Sequence, residues 1–263
     1  MDKLAIILLV FSIFIFSTCM REEGCLDPSA TNFAPEADKD CADTDCCEYP
    51  KIDLRFFVGI DTDFFYSDVG TTRFRVNDIR FFISNVQLIQ ADGSLVGVND
   101  IVTLEPSGEV VEDNYTITDL NGFSYEIGDL AGFGDFTGVR FNVGLDAAAN
   151  TAEPDLMPTG HALGVQEDTM YVSASEGYAF QQMDLNLIAA GDTTSQIINV
   201  LGNDNLATVV LADTFTLEKS FGAEIQLNVD YLSLFSDIDF AADNDNLIIE
   251  KIVNNTPGIF SIR

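Results

Sequence analysis

Five cysteines, a single histidine and a surplus of carboxylates are the groups in this 263-residue chain that are equipped to react or to bind metal. Cys25, Cys41, Cys46 and Cys47 crowd one short segment, and no cysteine follows Cys47. Such a set pairs as disulfides in an oxidising compartment and serves metal or redox chemistry in a reducing one. Zinc is disfavoured because the cysteines lack paired C-x-x-C spacing. Of the three possible pairings, Cys46–Cys47 is disfavoured because bridging neighbours strains the peptide. Asp38, Asp40, Asp43 and Asp45 share the segment and are candidate oxygen ligands for Ca²⁺. Their spacing lacks the glycine and distal glutamate of an EF-hand loop, so a solvated acidic loop is expected. Asp237, Asp239, Asp243 and Asp245 raise the same question, with the same answer.

His161 would have to serve any nucleophile–His–acid triad, with Ser173 or Ser175 as nucleophile, but no G-x-S-x-G elbow appears. It could also join the thioethers of Met157, Met170 and Met183 around Cu(I), an ion suited by soft sulfur. A surface histidine and gap-filling methionines are the expected reading. Glu176 and Asp184 form one of many carboxylate pairings among 43 acids, so their presence says little about glycosidase chemistry. No phosphate-cradling glycine loop is present. The chain is therefore expected not to be an enzyme. The place left for a ligand is the loop from Asn150 to Asp168, with Asn150, Asp155, Met157 and His161 in it and Tyr171 and Tyr178 beside it. An exposed phenylalanine patch there would favour binding.

These residues must be positioned by strands. From Lys51 onward the hydrophobic period is two: Ile52, Leu54, Phe56, Val58 and Ile60 alternate with more polar neighbours, as do Val139 to Leu145 and Ala223 to Val229. Asp92-Gly93 and Asn121-Gly122 read as hairpin turns. No long amphipathic helix stands out. Asp146–Asp168, with Pro154, Pro158, Gly160 and Gly164, exceeds the usual connection and is either functional or mobile. The expected fold is an all-β antiparallel sandwich of nine or ten strands, preceded by a small disulfide-stapled module.

Lysine and arginine number 12 against 43 acids, a formal charge of −31, which excludes a nucleic-acid binder that tracks phosphates. A hydrophobic content of 47% excludes a disordered acidic chain. Lys3 precedes the uncharged stretch Leu4 to Thr18, too short to span a bilayer and suited to a secretory signal. Phe16-Ser17-Thr18-Cys19 resembles a lipobox, with Phe16 bulkier than usual, and Met20-Arg21-Glu22-Glu23 resembles the export tag of Bacteroidota-type surface lipoproteins. That resemblance implies lipidation of Cys19 and an outer-membrane, cell-surface address, which in turn selects disulfides for the other four cysteines.

Gly24-Cys25-Leu26-Asp27-Pro28-Ser29-Ala30-Thr31-Asn32-Phe33-Ala34-Pro35-Glu36-Ala37 resembles an extracellular module of pattern G-C-x-D-P-x-A-x-N-Y-x-P-x-A, with Phe33 in place of tyrosine. The resemblance implies a spacer. The expected organisation is a signal at 1–18, a lipid-anchored Cys-rich module at 19–50 and a sandwich at 51–263.

Phe82-Ile83-Ser84-Asn85-Val86-Gln87-Leu88, Gly144-Leu145-Asp146, Met170-Tyr171 with Glu176-Gly177-Tyr178-Ala179-Phe180, and Asp230 to Phe235 resemble, in order, motifs of the MbnP-like family, methanobactin-associated copper-binding proteins. The resemblance implies a shared β-sandwich. It also implies a copper site built on tryptophans, one oxidised to kynurenine, and on a histidine. Here Val172 and Ala174 replace the tryptophans, and Val200-Leu201-Gly202 stands where H-x-G is usual. The expectation is a non-catalytic surface lipoprotein without a resident cofactor, bound to the membrane through its lipid, with an outer-membrane protein or a small ligand as partner. The alternative is a metal-handling protein holding copper or Ca²⁺ at a non-standard site.

Overall fold

The computed structural model describes residues 22–41, 46–67, 69–130, 132–166 and 170–263. The signal-like stretch, Cys19, Asp43 and Asp45 lie outside them. The chain divides into two compact units, Met1–Tyr49 and Pro50–Arg263.

In the first unit, β1 (Glu23–Gly24) pairs in parallel with β2 (Lys39–Asp40). The cysteines join as Cys25–Cys47 and Cys41–Cys46. The motif residues replace the core that so short a segment cannot build. Asp27 accepts a hydrogen bond from the Ser29 amide and another from the Tyr49 hydroxyl, both at 2.8 Å. Asn32 donates to the Cys46 carbonyl and accepts from the Glu48 amide. Gly24 is small because a Cβ there would sit 2.9 Å from the Ala34 Cβ. Ala30 is fully buried and Phe33 is exposed.

The second unit is built from β3 (Lys51–Val58), β4 (Arg73–Gln90), β5 (Leu95–Val96), β6 (Ile101–Leu104), β7 (Glu109–Glu112), β8 (Thr116–Thr118), β9 (Ser124–Asp129) and β10 (Gly134–Val143). After a long loop follow β11 (Tyr171–Ser173), β12 (Gly177–Ala189), β13 (Asp192–Leu201), β14 (Ala207–Leu217) and β15 (Ala223–Val229). Helix α1 (Asp245–Asn255) and β16 (Phe260–Ile262) close the chain. One sheet runs β11-β12-β4-β10-β14, with β13 on β12 and β5 and β8 on β4; the other runs β16-β15-β3-β9. The expected alternation holds: Ile52, Leu54 and Phe56 of β3 and Ile225, Leu227 and Val229 of β15 meet Val76, Ile79, Phe81, Val139 and Phe141 from the facing sheet. Aromatic rings bind the two layers, with Phe56, Phe81 and Phe141 each within 5.1–6.1 Å of Phe260.

Five features depart from the sequence expectation. The second unit has fourteen strands among the described residues instead of nine or ten, because several are only two to four residues long. β15 and β3 pair in parallel, so the smaller sheet is mixed. Asn121-Gly122 does not close a hairpin: β8 pairs with β4 while β9 pairs with β3, so the turn carries the chain from one sheet to the other. The Asp119 carboxylate accepts the amides of Asn121 and Gly122 to shape it, whereas Asp92-Gly93 does close a hairpin, with Gly93 at φ +84°. The acidic stretch near the end leads into a helix of 11 residues, capped by Asn244 and burying Ile248 and Ile252. Its apolar run Leu247-Ile248-Ile249 fits either period, so spacing could not reveal it. Finally, Asp239 and Asp243 serve the backbone of that approach, Asp243 accepting from the Asp239 amide and from Lys251.

Candidate functional site

Three of the motifs that resemble MbnP-like proteins, those on β4, after β10 and on β11–β12, meet around Phe82, while Asp230 to Phe235 packs in the core between the sheets. Between Ser84 and Gln87 the register of β4 against β10 slips, and Asn85 adopts φ +51°. This bulge is fastened on both flanks: Ser84 Oγ donates to the Gly144 carbonyl at 2.7 Å, and the Asn85 amide donates to Asn114 Oδ1 at 2.8 Å. Gly144 has φ +115°, and a Cβ there would lie 2.6 Å from the Phe180 ring, so the turn into the long loop requires glycine.

Asp146 then organises the loop. Its Oδ1 accepts the amides of Ala148 and Ala149, each at 2.9 Å, and its Oδ2 accepts the Tyr115 hydroxyl. Burial, followed by the adjacent Asp146 carboxylate, pushes the Tyr115 phenol well above the usual tyrosine range, keeping it a proton donor. Asn150 ties this loop to the next hairpin. It accepts the Tyr178 amide at 2.9 Å and donates to Asn203 Oδ1 at 3.0 Å, pressed against Gly177.

The described residues of the loop are packed. Phe82 faces away from Phe81 and Ile83 on β4, as alternation requires. It forms a second apolar cluster with Leu145, Met157, Leu163, Met170, Tyr178 and Phe180. Met157 and Met170 are buried there as packing residues. Asn150 and Tyr178, both candidates for ligand binding by sequence, are also buried, the Tyr178 hydroxyl donating to the Leu163 carbonyl. Asp155 is exposed and Tyr171 half-buried, its ring 5.1 Å from that of Tyr178. Among the described residues no phenylalanine patch lies here: the exposed large apolar residues of this region are Leu156, Val165 and Val172.

His161 is held, not displayed. Nε2 lies 2.9 Å from Asp113 Oδ1, and Nδ1 accepts the Leu163 amide at 3.0 Å. An Nδ1 that accepts an N–H carries no proton, so the ring takes the Nε2–H tautomer and donates to Asp113. With its side chain 8% exposed and both nitrogens engaged, it has no lone pair left for a metal or a substrate proton. Ser173, at the end of β11, bonds to Ser175 in the turn and to Glu176, so no triad assembles among the described residues.

Two positions where the resemblance implies tryptophan and histidine hold valine, which has no ligating side-chain atom: Val172 is exposed, while Val200 faces the core. Asp40, Cys41, Cys46 and Cys47 place ligand atoms within 4.8 Å of one another, but the sulfurs are disulfide-bonded and supply no thiolate. Asp40 already accepts the Leu26 and Cys41 amides, and Asp38 is exposed.

A comparison with curated protein sequences gave no match. Among solved structures, MbnP from Methylosinus trichosporium is similar at 15% identity and a TM-score of 0.47, covering 73% of this chain and 79% of that one. The MbnP family model matches residues 49–251, most of the chain and all four sites of motif resemblance, and the chain belongs to the MbnP family.

Proposed function

We propose that the protein is a non-catalytic cell-surface lipoprotein, anchored through Cys19, whose MbnP-family sandwich is a binding and interaction module that holds no copper. The family is linked to copper-related function, and divalent copper favours imidazole nitrogen. One observation carries the reading: the only imidazole in the chain spends one nitrogen on Asp113 and the other on the Leu163 amide. Tyr115, Tyr178, Asp113 and Asp146 are likewise committed to shaping the loop. Two apolar cores and a loop frame fastened at Asp146, Asn150 and His161 support a rigid presenting surface.

Elemental analysis by mass spectrometry of the natively purified protein tests this. Copper and calcium are expected well below stoichiometry. Near-stoichiometric copper would overturn the reading in favour of metal handling at a non-standard site, and stoichiometric calcium would do the same for an oxygen-ligated one.

A further inference from the structure

The long sheet ends in an edge that α1 flanks but that no strand pairs among the described residues. That edge is β13, which pairs with β12 on its other side. The connecting turn Ala190-Gly191 has φ of +52° and +96°, a primed two-residue hairpin in which Ala189 and Asp192 form the closing hydrogen-bonded pair. Counting in twos from Asp192, residues Thr194, Gln196, Ile198 and Val200 turn their N–H and C=O groups toward β12. Thr193, Ser195, Ile197 and Asn199 turn theirs outward. Natural edges are blunted by lysine, proline, bulges or short length. Over Asp192–Val200 there is no lysine, arginine or proline, and the register against β12 is unbroken. Ile197, in the middle, is 61% exposed.

A trough runs beside this edge, between β13 and α1. One part, about 180 Å³, is lined by Gln196 to Asn199 on the strand and by Asp245 and Ile249 on the helix. It shares Asn199 and Ile249 with a second part of about 490 Å³, which adds Leu201, Asp204, Glu250 and Val253. The helix lines it with apolar Ile248, Ile249 and Val253, and its charged residues, Asp204, Asp245 and Glu250, are all acids.

We propose that this edge and trough dock an extended, lysine- or arginine-bearing segment of a partner protein, which adds as a strand along residues 193–199. Main-chain hydrogen bonds to the outward groups supply adhesion, and cations facing the three acids supply selectivity. A second copy of this chain is a poor occupant, because its own edge brings no cation and its net charge is −31. This inference rests on the interaction-module reading and names the surface through which the module acts.

The test uses the full-length protein and a labelled peptide of about nine residues alternating lysine with valine, a strand-forming pattern. Two peptides serve as comparisons: one of identical composition in lysine and valine blocks, and one alternating glutamate with valine. The alternating lysine peptide should bind saturably and slow hydrogen exchange at the amides of Thr193, Ser195, Ile197 and Asn199. Ile197→Pro removes an outward N–H and no ladder bond, and should weaken binding at least tenfold. Glu250→Lys should do the same and, being an exposed helix substitution, keeps the proposal falsifiable should the proline variant misfold. The proposal is overturned if the block peptide binds equally well, or if Glu250→Lys leaves affinity within twofold. Failure of the peptide with copper-free protein removes this surface alone; stoichiometric copper removes the module reading itself.

Discussion

His161 shows how a residue suited to chemistry becomes a structural one. A histidine that donates to a carboxylate and accepts from a backbone amide bridges two segments, here Asp113 after β7 and the turn at Leu163. Replacing it with alanine leaves a partly buried carboxylate and an amide without partners. His161→Ala should lose about 1–3 kcal/mol of stability in urea unfolding. It should not alter metal content. A variant as stable as the parent would show that the bridge is not structural. Asp53 illustrates the opposite liability. Burial on β3, aided by repulsion from Glu126 and Glu224 and opposed by Lys51, raises its carboxyl above the ordinary range. A raised folded-state value means the contribution is full below the unfolded value and is lost as pH climbs through the folded one. Asp53→Asn should therefore melt higher than the parent at neutral pH, with the gap closing as pH falls below the usual aspartate range. An unchanged gap between neutral and acid pH would count against this account.

At the level of elements, β4 is the member on which the others depend. Its first half pairs with β12 and its second half with β10, and the bulge at Asn85 lies where the loop frame attaches. Asn85 tolerates φ +51° because its short polar side chain is at ease there, whereas a β-branched residue is not. Asn85→Val should cost about 1–2 kcal/mol by chemical denaturation, and Asn85→Gly should be nearly silent. Equal losses from both would place the cost in the side chain rather than the backbone. Period-two alternation made the sandwich legible because each strand buries one face. The family motifs were legible as well, though their role was not: Ser84, Asn85, Gly144 and Asp146 bond across segments far apart in sequence, and no local spacing records that. Helix α1 was missed because its apolar run is too short to favour either period. The Asn121-Gly122 turn was misread because dipeptide chemistry does not say which sheet the next strand joins. The occupation of both His161 nitrogens depends on a backbone amide, which leaves no signature in the sequence.

Over the whole molecule, charge dominates. At −31 the chain should be repelled by anionic headgroups, so the proposed tether must come from acyl chains rather than from protein surface. Cys19→Ala protein should not float with anionic liposomes, while wild-type protein from the native membrane should. Flotation of the unlipidated variant would contradict this. The separation of apolar residues into two clusters, one between the sheets and one over the outer face of β4, has a bearing on descent. Substitutions in the outer cluster and its loop are felt mainly by Phe82, Leu145, Tyr178 and their neighbours, leaving the packing around Phe56 and Phe260 untouched. Lineages sharing this architecture are thereby free to rewrite one end of it, discarding or acquiring ligands, without renegotiating the body that keeps it folded.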